Sequence, residues 1–186
     1  MAVAHSGGIN AFNTRIFRIP EDDHLVVLLA NTPGVQLQQI VDRIIAILYD
    51  RSYESPKKDA AEEIGKIIVE QGLDPAIERY DQLKDDLPEH YALNEGRINW
   101  LGYTLLGRGL KEAAIAFFKR NVEAYPESAN VYDSLAEAYM VTGNKEMAKK
   151  YYEKTLEMLD KIEDMDEGFR QRLREGATEN LKKLRE

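Results

Sequence analysis

The chain has 186 residues, and its 25 lysines and arginines against 33 aspartates and glutamates give a formal net charge of −8. This acidic balance disfavours nucleic acid and anionic membranes as partners, because few cations remain to contact phosphates. The chain has no cysteine, which excludes disulfides, thiolate nucleophiles and zinc–thiolate sites.

Two strands that form a hairpin are predicted near the start of the chain. The first spans residues 9–19 and the second spans residues 23–31, with Pro20 and the acidic residues after it as the turn. The second strand is continuously apolar from Leu25 to Leu29, which predicts burial on both of its faces.

An amphipathic helix is predicted after the hairpin, over residues 35–49. Its apolar residues recur at helical spacing and form one stripe: Leu37, Ile40, Val41, Ile44, Ile45 and Leu48. We expect this stripe to cover one face of the hairpin. Two strands and one helix bury little apolar surface, so residues 1–50 are expected to need a further partner surface.

A linker is predicted at residues 51–58, which include serines and a proline. Residues 59–94 then predict a helical hairpin that turns at Gly72. Within this hairpin, Ala76 and Tyr80 have a small-then-aromatic spacing that returns further along the chain. We interpret it as a degenerate leading repeat.

Residues 95–128 and 129–162 repeat one another with a period of 34 residues. Ile98-x-x-Leu101-Gly102-x-x-Leu105 returns as Tyr132-x-x-Leu135-Ala136-x-x-Tyr139, and Gly109, Ala114 and Phe118 return as Gly143, Ala148 and Tyr152. Each copy predicts a helix, a glycine turn and a second helix. Residues 163–186 predict one charged helix with apolar residues spaced by four, as expected of a cap.

The period, the small residue after the leucine and the alanine of the second helix resemble the tetratricopeptide repeat. The resemblance implies a mainly α fold: a solenoid of helical hairpins with a capping helix, preceded by the β-hairpin and helix of residues 1–50. Such repeats are binding scaffolds without chemistry of their own, so the implied partner is a protein or peptide.

The same resemblance implies a binding groove, because the first helix of each pair lines the concave side of a tetratricopeptide solenoid. Extrapolated from the motif, the groove residues are Asn99, Tyr103, Leu106, Asp133, Glu137 and Met140. The two carboxylates would repel a partner that ends in a carboxylate group. A basic or apolar peptide suits this groove better.

A second resemblance rests on His5-Ser6-Gly7-Gly8 at the start of the chain, followed by the hairpin. This segment is similar to the last active-site motif of the serine beta-lactamase and penicillin-binding-protein fold, in the esterase and D-aminopeptidase branch where His-x-Gly replaces Lys-Thr-Gly. The resemblance implies that His5 replaces the motif lysine, Ser6 the threonine and Gly7 the glycine, while Gly8 offers an oxyanion-hole N–H. It also implies that residues 1–50 are the C-terminal remnant of such a sheet.

The family's other two motifs, Ser-x-x-Lys and Tyr-x-Asn, are not found where the fold requires them. Ser55 and Lys58 match Ser-x-x-Lys as a string, but they lie in the predicted linker rather than on a helix before the sheet. Acyl transfer needs the nucleophile, its base and the oxyanion donors together. This chain is therefore predicted not to be an enzyme, whereas a full-length parent with all motifs would be a serine hydrolase.

No cofactor or metal site is predicted. His5, His24 and His90 show no ligand spacing, and the acidic pairs lie on helical surfaces that are rich in lysine. Trp100 is interpreted as a packing residue.

The sequence thus predicts a non-catalytic protein–protein interaction module from the C-terminus of a serine-hydrolase-like protein. The alternative is a truncated beta-lactamase-like serine esterase or peptidase that is active only when full-length. The groove is expected to bind a peptide or the chain's own hydrolase domain, and the N-terminal hairpin is expected to form a homodimer by self-pairing.

The expected location is cytoplasmic, although the parent family is often exported. Residues 1–5 have neither a charged n-region nor an apolar h-region, so no signal peptide is expected. The apolar runs are far shorter than the about 20 residues that a membrane span needs.

Overall fold

The computed structural model describes residues 2–9, 12–31, 36–86, 90–162 and 164–185. The chain forms two compact units, Met1–Pro56 and Lys57–Glu186, which we call the N-terminal unit and the helical unit. The described residues contain eight helices, so the fold is mainly α, as predicted. No helix within the described ranges is both long enough and apolar enough to cross a membrane.

The N-terminal unit contains a three-stranded antiparallel sheet in the order β1-β2-β3. The strands are β1 (Val3–Ile9), β2 (Phe12–Ile19) and β3 (His24–Ala30), and they are followed by helix α1 (Leu37–Leu48). A single 3-10 turn at Pro20–Asp22 joins β2 to β3. The hairpin of β2 and β3 therefore turns where the sequence predicts it.

The prediction of one strand over residues 9–19 is wrong at its N-terminal end. Strand β1 ends at Ile9, and β2 begins separately at Phe12. The local residue pattern does not predict β1, because residues 3–9 include two adjacent glycines and show no regular apolar alternation. Antiparallel pairing with β2 along the whole strand supplies the order that local preference lacks.

The two faces of this sheet differ in their coverage. Val26 is buried and lies opposite Phe17 on one face, and α1 packs against β2 with Leu37 and Val41 buried. Alternate residues belong to the other face, where the large apolar side chains are 47–77% exposed. We call this surface the open face: Val3, Ile9, Phe12, Ile16, Leu25, Val27 and Leu29.

The open face contradicts the prediction that the second strand is buried on both sides. Leu25, Val27 and Leu29 of β3 are all exposed. A continuous apolar run is typical of a strand between two layers. Such a run does not by itself show that a second layer is present.

The helical unit consists of three helical hairpins and a final helix. The hairpins are α2 (Ala60–Gln71) with α3 (Leu73–Asp86), α4 (Glu95–Gly107) with α5 (Lys111–Ala124), and α6 (Ala129–Val141) with α7 (Lys145–Lys161), and the final helix is α8 (Glu167–Lys183). The two-residue strands β4 (Lys58–Asp59) and β5 (Tyr91–Ala92) pair in parallel. Adjacent hairpins pack in chain order: α2 against α4, α4 and α5 against α6, and α7 against α8.

The residues of the 34-residue period have clear packing roles. Gly109 and Gly143 follow the first helix of their hairpins with φ angles of 76° and 82°, which favour glycine. Gly102 permits close approach of the two helices, because a Cβ there would lie 2.5 Å from ring carbons of Phe118. Residues 95–162 thus fold as two helical hairpins in tandem.

Candidate functional site

The six predicted groove residues lie on two neighbouring helices. Helix α4 carries Asn99, Tyr103 and Leu106, and α6 carries Asp133, Glu137 and Met140. Residues three and four apart share one face of a helix, so each set forms a single row. The two helices contact each other directly, which brings the two rows side by side.

One hydrogen bond joins the two rows. The Tyr103 hydroxyl donates to Glu137 Oε2 over 2.7 Å. The Tyr103 ring packs edge-on against Phe118, with ring centroids 5.1 Å apart, and burial raises the pKa of its hydroxyl. Tyr103 is therefore a fixed hydrogen-bond donor to the Glu137 carboxylate.

The carboxyl group of Asp133 is partly buried in this surface, close to that of Glu137. Burial of its carboxyl, followed by the nearby charge of Glu137, raises the pKa of Asp133 from 3.8 to about 7. No described cation offsets this effect on Asp133. Its Oδ1 atom is buried without a hydrogen-bond partner in the described part of the chain, and so is Asn99 Oδ1. Each row therefore contains one buried acceptor atom that lacks a donor.

Tyr152 lies near this acidic pair and is hydrogen-bonded to Asn180, and sequence reasoning missed both residues. The Tyr152 hydroxyl on α7 accepts a hydrogen bond from Asn180 Nδ2 on α8 over 2.9 Å. Burial raises the pKa of Tyr152, and the charges of Asp133 and Glu137 raise it further. The sequence did contain a signal for Tyr152. The equivalent position of the preceding repeat is Phe118, so the second repeat has a hydroxyl group that the first lacks.

A comparison with known families identifies one of the helical hairpins. The family model described as tetratricopeptide repeat matches residues 129–158. Residues 129–158 are a tetratricopeptide repeat. The match covers α6 and most of α7, so it includes the row of Asp133, Glu137 and Met140. No curated protein matches the chain.

The preceding hairpin, α4 and α5, buries equivalent positions of its first helix. Leu101 and Leu105 are buried in it as Leu135 and Tyr139 are in the repeat itself. The sequence period and the fold therefore agree for residues 95–162, while the family match begins at 129.

Trp100, which is predicted to be a packing residue, is half-exposed, with a relative exposure of 48%. It lies outside the repeat's core positions, Ile98, Leu101 and Leu105, which are buried. Arg97 lies over the indole ring, 5.0 Å from its centroid.

The residues of the predicted hydrolase motif lie in β1 and are all exposed. His5 lies opposite Ile16, and Gly7 lies opposite Thr14, whose hydroxyl donates to Gly7 O over 3.3 Å. Ser6 and Gly8 alternate with them and belong to the other face of the sheet. The motif therefore lies on an edge strand of the sheet, but its four residues are divided between the two faces.

The Ser-x-x-Lys string has no helical geometry. Residues 51–57 have no regular secondary structure, and Lys58 belongs to β4. Ser55 and Lys58 therefore do not share a helical turn, as a nucleophile and its base would in this motif. Among the described residues, no group of three or more histidine, aspartate or glutamate side chains could hold a metal ion.

Proposed function

We propose that the helical unit is a protein–protein interaction module in which the hairpins form a tetratricopeptide solenoid. The repeat at residues 129–158 is typical of such modules. The proposed binding groove is formed by the two rows on α4 and α6: Asn99, Tyr103, Leu106, Asp133, Glu137 and Met140.

The partner that this groove suits best is a peptide segment with a basic side chain. Asp133 is largely buried beside Glu137, and its raised pKa reports an unfavourable environment for its negative charge. A lysine or arginine from a partner, placed beside the exposed Glu137 carboxylate, would offset this cost through its positive charge. A carboxylate-terminated segment would meet like charge instead. The single observation that carries this proposal is the partly buried carboxyl of Asp133 beside Glu137, because no described cation offsets their charge.

The test is a binding titration with fluorescein-labelled peptides of equal length that are rich in lysine, leucine or glutamate. We expect the lysine peptide to bind most tightly. Changing Asp133→Asn and Glu137→Gln together should weaken it by about tenfold or more. The matched control changes Glu146→Gln and Glu153→Gln, two exposed carboxylates of α7, and should leave binding within about twofold. Equal loss in both variants would show a general charge effect and reject the groove.

A second candidate concerns the N-terminal unit, which we propose is the C-terminal part of a serine-hydrolase-like sheet. The His5–Gly8 segment on an edge strand and the uncovered open face support it. In that case the groove would bind the chain's own hydrolase domain. The test is the coding sequence upstream of Met1: in-frame Ser-x-x-Lys and Tyr-x-Asn motifs are expected, and their absence would reject this origin.

We also propose that the N-terminal unit forms a homodimer. Both the strand edges and the open face would belong to the contact surface. Large apolar side chains gathered on one sheet face are typical of an interface. Changing Val27→Glu should shift a dimer to a monomer in sedimentation equilibrium, whereas Ile47→Glu on the exposed side of α1 should not. A wild-type monomer at high micromolar concentration would refute self-association.

A further inference from the structure

A cleft of about 290 Å³ lies between α2 and α4. Its apolar walls include Val69, Trp100, Leu101 and Leu105, and Gly65 lies at its α2 side. Because Gly65 has no side chain, Leu101 comes so close that a Cβ there would lie 3.3 Å from Leu101 Cδ1. The glycine therefore lets the two helices approach and leaves the space beside them open.

The aromatic wall of the cleft is held in place. Arg97 lies over the Trp100 ring, and its Nε donates to Asp59 Oδ1 over 3.2 Å. Asp59 in turn caps α2, where its Oδ1 accepts from the backbone N–H of Ala61. The ring position is thus tied to the start of the opposite helix. A binding surface that is fixed before the partner arrives loses less entropy on binding.

The size and charge of the cleft define its occupant. Small-molecule sites usually have about 300–1,000 Å³, so this cleft lies at the lower limit and suits one side chain. Its charged lining residues balance, with Glu62 and Glu70 against Lys66 and Arg108. This lining favours neither sign of charge. The exposed apolar surface of Val69, which is 59% exposed, and of Trp100 therefore determines the preference.

We infer that this cleft binds an apolar side chain of the same peptide whose basic side chain lies against Asp133 and Glu137. The inference rests on the proposed peptide-binding function. Helix α4 separates the two sites, with the cleft on its α2 side and the acidic pair on α6. Packed helices lie about 8–10 Å apart, so the sites are roughly 12–15 Å apart. An extended peptide covers about 3.3 Å per residue, which places the apolar residue about four positions from the basic one.

The test is selection from a library of random dodecapeptides displayed on phage, with the full chain as bait. Wild type is expected to enrich peptides that carry a lysine or arginine about four positions from a large apolar residue. Val69→Glu places a charge at the cleft and should select the basic residue without the apolar one. The matched control, Ile47→Glu, changes a comparably exposed residue of α1 and should select both.

The possible outcomes distinguish a failure of this inference from a failure of the proposed peptide-binding function. Enrichment of basic residues alone by wild type would overturn the cleft and leave the acidic groove intact. No enrichment by a folded wild-type chain would overturn both. Loss of the apolar preference in Ile47→Glu as well would also overturn the cleft, because the effect would then not be local to it.

Trp100 provides a second readout, because it is the only tryptophan in the chain. A selected peptide should shift the Trp100 emission to shorter wavelengths, with the same midpoint as its binding curve. Val69→Glu should weaken that peptide by about tenfold while its circular dichroism stays that of wild type. Binding without any change in Trp100 emission would overturn the inference.

Discussion

The two units of this chain differ in how they cover their apolar surface. In the helical unit, buried residues form a nearly continuous core from Ala60 to Ala177, and each hairpin covers the one before it. In the N-terminal unit, the buried apolar residues among those described are Val26, Leu37 and Val41. Within the described part of this unit, no other element covers the open face of the sheet. Stacked hairpins can complete a core in chain order, whereas an antiparallel sheet with apolar residues on both faces needs a layer on each side.

The most severe test of this difference is to divide the chain between the two units. Residues 57–186 alone should keep their helical circular dichroism and unfold cooperatively on heating. Residues 1–56 alone should show no cooperative transition as a monomer, because a sheet with one covered face buries too little surface to offset the chain entropy. A sharp thermal transition of monomeric residues 1–56 would remove the contrast.

A matched pair of leucines tests the same difference at single residues. Leu135→Ala in the helical unit should lower the free energy of unfolding by about 2–5 kcal/mol, because Leu135 is fully buried. Leu29→Ala on the open face should change it by less than about 0.5 kcal/mol, because that side chain is 77% exposed. Urea denaturation followed by circular dichroism measures both. A large loss for Leu29→Ala would mean that the open face is covered in solution.

Two glycines of α4 test how tightly the helical unit is packed. Gly102→Ala should cost about 1–3 kcal/mol, because its Cβ would meet the Phe118 ring. Gly107→Ala in the same helix meets no atom within 4 Å and should be neutral or stabilising by up to about 1 kcal/mol. Thermal unfolding midpoints measure both effects. Equal midpoints would show that this helix contact is loose.

The smallest expected effect concerns Asp133, one of the residues of the helical unit with a buried polar atom that lacks a hydrogen-bond partner. Its pKa is raised to about 7, so the folded chain holds the proton more tightly than the unfolded chain. The ionised form therefore destabilises the fold above pH 7, and this cost disappears as the pH falls from 7 towards 4. Asp133→Asn should raise the free energy of unfolding at pH 8 by about 1–2 kcal/mol, and by much less at pH 4.5.

The control for this prediction is Asp85→Asn, which changes an exposed aspartate of α3. It should alter stability by less than about 0.5 kcal/mol at either pH. A gain for Asp133→Asn that is the same at pH 8 and pH 4.5 would contradict the charge-based explanation.

Much of the helical unit could be predicted from local pattern. The 34-residue period places Gly102 and Phe118 in the same hairpin, so the residues that must touch are close in sequence. The two rows of predicted groove residues followed from the same period, and the structure places them on adjacent helices. Their role as a binding groove stays a prediction. The burial of Asp133 could not be predicted from the period, because it depends on how closely the neighbouring helices pack against α6.

The N-terminal unit was harder to predict for the opposite reason. Strand β1 depends on pairing with β2 rather than on its own residues, so its glycine-containing sequence gave no strand signal. The apolar run of β3 was interpreted as doubly buried, and only one side is covered. Strand propensity reflects packing against neighbours, and those neighbours are not local.

The sequence by itself determined the helical hairpins of residues 95–162 and the positions of their glycine turns, because helix contacts and turn conformations are local properties of the chain. Only the tertiary structure decided which apolar and charged side chains remain without a partner. The open face, the exposed ring of Trp100 and the buried Oδ1 of Asp133 all depend on which element covers them, and coverage is set by packing between distant residues.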